Sequence, residues 1–323
     1  MGHLFPDRFV LLLLASLLLA WLLPVHGSVL AVMQSGIFAG IFLLFFLHGL
    51  RLPREEVTKA ARGWRVQAAM VLFCFGIMPI AGWTMAHLVA DALPVKLVAG
   101  IIFLTVVPST VQSAISYSSI GGGNVAASVV GAALSNLAAI ILTPMLSMLL
   151  IGGIGGIALD TGIILKIATM LLLPFALGQS SQRWFGAWAS RQKSVLSVFD
   201  RAIILLAVYI AFTGAVASGA MIQVTGSAML TLCMAVAILL ALAFGGATLM
   251  GRLLRLGRTD RISLIFAGAH KSIATGVPMA ALLFGQHAGL VVLPLILYHI
   301  AQLVISAPVA ARLSRGTSLL KTA

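Results

Sequence analysis

Residues 265–280 read IFAGAHKSIATGVPMA, an apolar segment with a lysine inside it. Lys271 sits inside an otherwise apolar run from Ile262 to Phe284, long enough to cross a bilayer, which takes about 20 residues. An ionisable side chain at that depth is costly and normally marks a pathway, a binding site or a pair. Half a chain earlier Thr110-Val111-Gln112-Ser113 interrupts a second apolar run. Two polar interruptions at matching places in two apolar halves point to the central site of a secondary transporter.

The whole chain has the composition of an integral membrane protein. Of its 323 residues 61% are hydrophobic and 8% charged, with a mean hydropathy of +1.14, whereas a soluble domain is about 25% charged. A net charge of +13 would suggest nucleic acid in a soluble protein. Here the basic residues fall in short loops between apolar runs, so they read as topology determinants and nucleic acid is excluded as a partner. Cys74 and Cys233 lie within apolar runs without metal-ligand spacing and read as small buried hydrophobes.

Ten apolar segments follow, at 9–25, 30–50, 66–90, 97–119, 123–152, 161–182, 202–222, 225–250, 261–284 and 288–311. Arg8 followed by Phe9 to Leu23 has the outline of a signal peptide. Removing it would leave the first half one span short, so it reads as a retained first helix. With the N-terminus inside, all 20 basic residues except Lys96, Lys166 and Lys271 fall on cytoplasmic segments. That asymmetry places both termini in the cytoplasm. Trp64, Trp184 and Trp188 stand beside those basic loops, where interfacial aromatics belong. The chain divides into halves 1–152 and 153–323 of five spans each. Five is odd, so the second half enters from the opposite side as an inverted repeat, with Gln112-Ser113 in register with Lys271-Ser272.

From Pro108 to Asn124 the chain reads PSTVQSAISYSSIGGGN, dense in hydroxyls and without charge. Single hydroxyls in membrane helices bond back to the preceding turn; this density around a proline fits a broken helix, whose freed carbonyls must face protein or a water-filled cavity. Such carbonyls, with hydroxyls and amides, suit a hard cation such as sodium. Gly121-Gly122-Gly123 lacks a phosphate-loop context and reads as a turn. In the second window His270, Lys271, Ser272 and Thr275 cluster before Pro278. Lys271 is about 15 Å from either end of its run at helical rise, too deep to snorkel. It is either a structural lysine satisfied by carbonyls or a participant in substrate or ion coupling. Every acidic residue falls in a loop or at a segment end, so Lys271 has no carboxylate partner in the membrane. Tyr298, His299 and Gln302 either face the same cavity or pack within the bundle.

These residues resemble the bile acid:sodium symporter family. PSTVQSAISYSSIGGGNVAAS, then Leu142-Thr143-Pro144, and AGAHKSIATGVPMA are its marks, with the bacterial branch of uncharacterised sodium-dependent transporters most similar. The resemblance covers nearly the whole chain. It implies an all-α membrane protein of ten transmembrane helices, two inverted five-helix repeats forming panel and core domains, with broken crossing helices four and nine. It also implies elevator-like or rocking alternating access and sodium symport of organic anions. Asn124 and Ser128 match the start of the fifth helix, where a serine helps bind sodium. The pattern departs elsewhere: Ala132 stands for a threonine, Ala114 and Ile115 for a serine and an asparagine, and Phe266 for a sodium-binding glutamate. His270-Lys271 replaces a Gln-Asn pair.

The sequence reading is therefore a secondary active transporter of the bacterial inner membrane. It carries a small organic anion, with sodium as the coupling ion and no other cofactor. Its binding residues are Gln112, Ser113, Ser116, Asn124, Ser128, His270, Lys271, Ser272 and Thr275, with Asn124 and Ser128 as sodium donors. The missing acidic ligand opens an alternative, in which the Lys271 ammonium takes the place of a sodium ion in a proton-coupled or uncoupled carrier. A non-transporting membrane sensor with the same fold is a different class, and a passive channel a third. A membrane enzyme would need a nucleophile with its base, paired carboxylates or metal ligands, and no such set is present.

Overall fold

The computed structural model describes residues 8–51, 63–152 and 161–318, and these are helical apart from short turns. Arg54, Lys59, Arg62 and Lys321 lie outside the described residues, as does the join between the two halves at 153–160. The first half holds α1 (Arg8–Leu22), α2 (Gly27–Arg51), α3 (Trp64–Leu88), α4 (Val95–Val106), α5 (Val111–Ile120) and α6 (Val125–Ile151). The second holds α7 (Thr161–Arg191), α8 (Lys193–Ala217), α9 (Gly226–Leu253), α10 (Arg258–Ala269), α11 (Ile273–Phe284) and α12 (Ala288–Ser318). By length and apolarity α2, α3, α6, α8, α9 and the run Arg258–Arg315 are each able to cross a membrane, and α4 with α5 makes a seventh stretch, bent by 58°. This is a multi-pass membrane protein.

Each apolar segment expected from the sequence is a helix or a broken pair, and two readings are corrected. The stretch 183–201, read as a basic loop, is helical except at Gln192, where α7 turns into α8. Charged side chains fit a helix that runs on past the apolar layer, and hydropathy marks the layer rather than the helix end. Cys233 is a second correction: it is exposed on α9, whereas Cys74 is buried.

α2 packs along α7, and α1 along α8. The α2–α7 contact is backbone against backbone, because a Cβ on Gly178 would collide with Phe46 O and one on Gly49 with Phe175 O. Gly178→Ala should therefore cost about 1–3 kcal/mol, the usual range for overpacking, read as a lowered thermal midpoint in detergent. Arg51 closes this group by a bidentate pair with Asp200, 2.6 Å at the shorter contact. In the other group α4 packs between α3 and α12, and α10 lies against α9 and α5. The whole span Leu97–Val107 is buried, so α4 is a central element rather than a lipid-facing one.

Candidate functional site

Two helix breaks meet in the buried centre. The first lies at Val107–Thr110. Val107, just before Pro108, takes the extended conformation (φ −77°, ψ 153°) that proline imposes on its predecessor, which ends α4. The second lies at His270–Ser272, where His270 is extended (φ −79°, ψ 141°) and Ser272 restarts the chain as the N-cap of α11. Its Oγ accepts from Thr275 N at 3.2 Å, the usual role of serine at a helix start. Ser272 N donates to Pro108 O at 2.9 Å, joining one break to the other.

Freed backbone groups inside a membrane must find partners, and here side chains supply them. Thr143 Oγ1 donates to Val106 O at 2.7 Å, and Asn136 Nδ2 to Ser109 O at 2.9 Å. Ser109 N donates to Ser135 Oγ at 2.8 Å, and Tyr298 OH donates to Ala269 O at 2.6 Å. Gln302 takes both backbone groups of Lys271: its Oε1 accepts from Lys271 N at 2.7 Å, and its Nε2 donates to Lys271 O at 3.1 Å.

Lys271 itself is fully buried. Its Nζ donates to Thr105 O at 2.7 Å, Val107 O at 3.0 Å and Cys74 O at 3.3 Å, with Cys74 Sγ also at 3.3 Å. The carbonyls are available for two separate reasons. Thr105 and Val107 end α4, where the last carbonyls of a helix lack intrahelical donors. Cys74 belongs to a π-helical turn at Phe73–Ile77, where Met78 N reaches back to Phe73 O. The next donor in that register would come from Pro79, which has no N–H, so Cys74 O is left for Lys271. Three carbonyl oxygens call for three N–H donors. An ammonium has three, whereas a neutral amine would turn its lone pair on one of them.

Beside this cradle, Thr110 Oγ1 and Ser113 Oγ hydrogen-bond each other and lie 3.3 and 3.0 Å from His270 Nδ1. Ser306 Oγ sits 2.7 Å from His270 Nε2. Tyr117, Phe244 and Phe266 surround the imidazole, with ring centroids 5.7–6.4 Å away. Thr275 Oγ1 donates to Asn136 Oδ1 at 2.7 Å.

The expected site residues divide into three places. Ser113, His270, Lys271, Ser272 and Thr275 gather at the crossing. Asn124 and Ser128 lie in a separate cluster: Ser128 Oγ donates to Ser118 Oγ at 2.8 Å, which is 3.0 Å from Ser263 Oγ, which donates to Asn124 O at 2.8 Å. Asn124 also caps α6 through Ala127 N and donates to Asp260 at 2.8 Å. The turn there needs its glycines, since Gly122 has φ +76° and a Cβ on Gly123 would collide with Ser118 Oγ. Gln112 and Ser116, one turn apart on α5, are exposed. The register read from sequence is thus shifted: Lys271-Ser272 occupy their break, while Gln112-Ser113 lie in the first turn after theirs. Sequence reasoning assigned no site role to Cys74, Thr105, Ser135, Asn136, Thr143 and Ser306. Asn136, an amide inside an apolar run, and Thr143, within the family mark Leu142-Thr143-Pro144, carried signals that would have found them.

A multi-pass helical protein with two breaks meeting around buried polar groups belongs among membrane carriers. Residues 7–315 match the SBF-like CPA transporter family, and the chain belongs to that family. It is a transporter and not an enzyme. It is 42% identical over 313 residues to PA2026 of Pseudomonas aeruginosa, covering 96% of this chain and 93% of that one. It is 37% identical over 318 residues to YfeH of Escherichia coli (strain K12), named as a candidate symporter, covering 98% and 95%. Sodium/bile acid cotransporter 7 of Mus musculus is 26% identical over 276 residues, covering 83% and 80%.

Proposed function

We propose that the protein is a secondary active transporter of a bacterial inner membrane that carries a small organic anion by alternating access. One observation carries this reading. At the crossing, α5 and α11 begin and α4 and α10 end. Helix starts favour negative charge and helix ends positive charge, and broken helices in transporters use both. Lys271 takes the carbonyl ends of α4 and Ser272 caps the start of α11; the start of α5, where Thr110 makes no side-chain cap, remains for an anion. The exposed side chains of Gln112 and Ser116 have no hydrogen bond among the described residues and lie on the first turns of α5, where an anion's oxygens would meet them.

In this reading the run Arg258–Arg315 makes two passes, and α1 and α7 complete ten spans. They form two inverted five-helix repeats, 1–152 and 153–323, with both termini cytoplasmic. The packing of α1 on α8 and of α2 on α7 is the exchange expected of such a pair of repeats. Those four helices would be the panel domain, and the remainder the core domain.

Two readings of the driving ion rest on different observations. Sodium symport rests on the names of relatives such as the mouse cotransporter and on the buried oxygens of Ser118, Ser128, Ser263 and Asn124. The second has Lys271 as a tethered cation in a proton-coupled or uncoupled carrier. It rests on the filled carbonyl cradle, and the crossing favours it. A thermal-shift screen of small carboxylates and sulfonates, with sodium or choline as counter-ion, should find stabilising anions through linkage. Uptake of such an anion into proteoliposomes should then persist when choline replaces sodium. Uptake that collapses without sodium would return the symport reading, and a screen without any stabilising anion would count against the substrate class.

Gln112→Ala and Ser116→Ala should each raise the half-saturating anion concentration about fivefold, the worth of one hydrogen bond of about 1 kcal/mol. The thermal midpoint should not move, because neither side chain bonds within the described protein.

A further inference from the structure

Away from the crossing, five helix termini converge on one end of the molecule. Arg65, at the start of α3, donates to Leu254 O just past α9 at 3.3 Å. Arg258, the first residue of α10, donates to Leu313 O of α12 at 2.7 Å. Arg261 lies across Gly251 of α9, and Asn124 N, at the start of α6, donates to Thr259 O at 3.1 Å. The same place holds Arg252, Arg255 and Arg312, all exposed. Among the described residues its carboxylate is Asp260, which is held by Asn124.

The side chains of Arg252, Arg255, Arg261 and Arg312 make no ion pair or hydrogen bond among the described residues. Arg255 is also the one non-glycine residue there with positive φ, at 52°. That conformation is unfavourable for a long side chain. The starts of α3, α6 and α10 add their positive ends to the arginines. This end of the protein is therefore strongly attractive to anions.

One further feature selects the anion. Along α9 the exposed Leu230, Met234, Ile238 and Leu242 and, past Gly245-Gly246, Leu249 and Leu253 share one apolar face by helical spacing. It runs the length of the helix and finishes at Arg252 and Arg255. An apolar rail ending in guanidinium groups matches a molecule with an acyl chain and a phosphate, because arginine meets phosphate bidentately.

We propose that the arginine cluster at the α9–α10 turn and the end of α12 is a binding site for an anionic phospholipid. The headgroup phosphate lies among Arg252, Arg255, Arg261 and Arg312, and an acyl chain lies along the α9 stripe. The site is separate from the crossing and leaves the transported anion's site open.

The test offers purified full-length protein an equimolar mixture of phosphatidylglycerol and phosphatidylcholine, then weighs the retained lipid by mass spectrometry after gel filtration. The wild type should retain phosphatidylglycerol in preference. Basic residues near an anionic headgroup contribute about fivefold each, so R252Q/R255Q/R261Q/R312Q should lower the preference by at least about tenfold. R183Q/R191Q/K193Q at the α7–α8 turn should retain it. L249Q/L253Q, which keeps every arginine, should lower the lipid retained and serves as the readout if the four-arginine variant misfolds. An unchanged preference in the four-arginine or leucine variant would overturn the proposal. So would equal loss in the α7–α8 variant, which would mean diffuse surface charge. Displacement of the lipid by inorganic phosphate at matched concentration would mark a free-phosphate site and overturn it too.

Discussion

Lys271→Ala should abolish sodium-independent uptake of the transported anion and lower stability by roughly 3 kcal/mol or more. The stability loss follows from what the cradle would lack. Three buried carbonyls lose their donor, and each unsatisfied buried group costs about 1–3 kcal/mol, part of it recovered by relaxation. Lys271→Met separates volume from charge, since it keeps most of the packing and removes the cation. Both variants should unfold earlier than the wild type, and Lys271→Ala should regain thermal midpoint on addition of sodium, because the emptied carbonyls suit a small hard cation. The wild type, whose cradle is filled, should not respond there. The measurement is thermal unfolding in detergent with sodium or choline, beside uptake under imposed sodium or proton gradients. Unchanged uptake and coupling in Lys271→Ala would sink the tethered-cation reading.

How much of this was legible beforehand depends on the kind of signal. Lys271, His270 and the hydroxyls after Pro108 stood out because polar groups in an apolar run are costly, so the centre of the site could be read from composition alone. Segment positions were legible for the same reason. The partners of Lys271 were not, because they are backbone carbonyls, and every residue has one. Cys74 O becomes available through a π-helical turn and the missing N–H of Pro79, a coincidence of register that hydropathy does not record. Family likeness set Asn124 and Ser128 at the start of the fifth helix, and they stand there, at the start of α6, but their partners Ser118, Ser263 and Asp260 were not legible because they come from other elements. The shift between Gln112 and Lys271 has a local cause: proline ends α4 and the helix restarts at Val111, before Gln112, whereas in the second half a serine cap restarts the helix directly after the lysine.

Gln302 gives the other large effect, and it tests whether the break itself is held by the protein. Gln302 is fully buried and is, among the described residues, the one side chain that meets both Lys271 N and Lys271 O. It replaces, for one residue, the two hydrogen bonds an unbroken helix would provide. Gln302→Leu leaves Lys271 N unmet and Lys271 O facing His299 Nδ1 at 3.3 Å, for an expected loss of roughly 1–3 kcal/mol. Gln302→Glu keeps an acceptor for Lys271 N but sets a carboxylate oxygen against Lys271 O, so it should recover only part of that loss. A structural role alone would lower uptake in proportion to the folded fraction. If Gln302 also fixes where the Lys271 amine sits, Gln302→Leu should lower uptake per folded molecule as well and gain the sodium-dependent stabilisation expected of Lys271→Ala. Thermal unfolding with and without sodium, beside uptake normalised to folded protein, separates the two; a Gln302→Leu protein of wild-type stability would remove Gln302 from the support of the break.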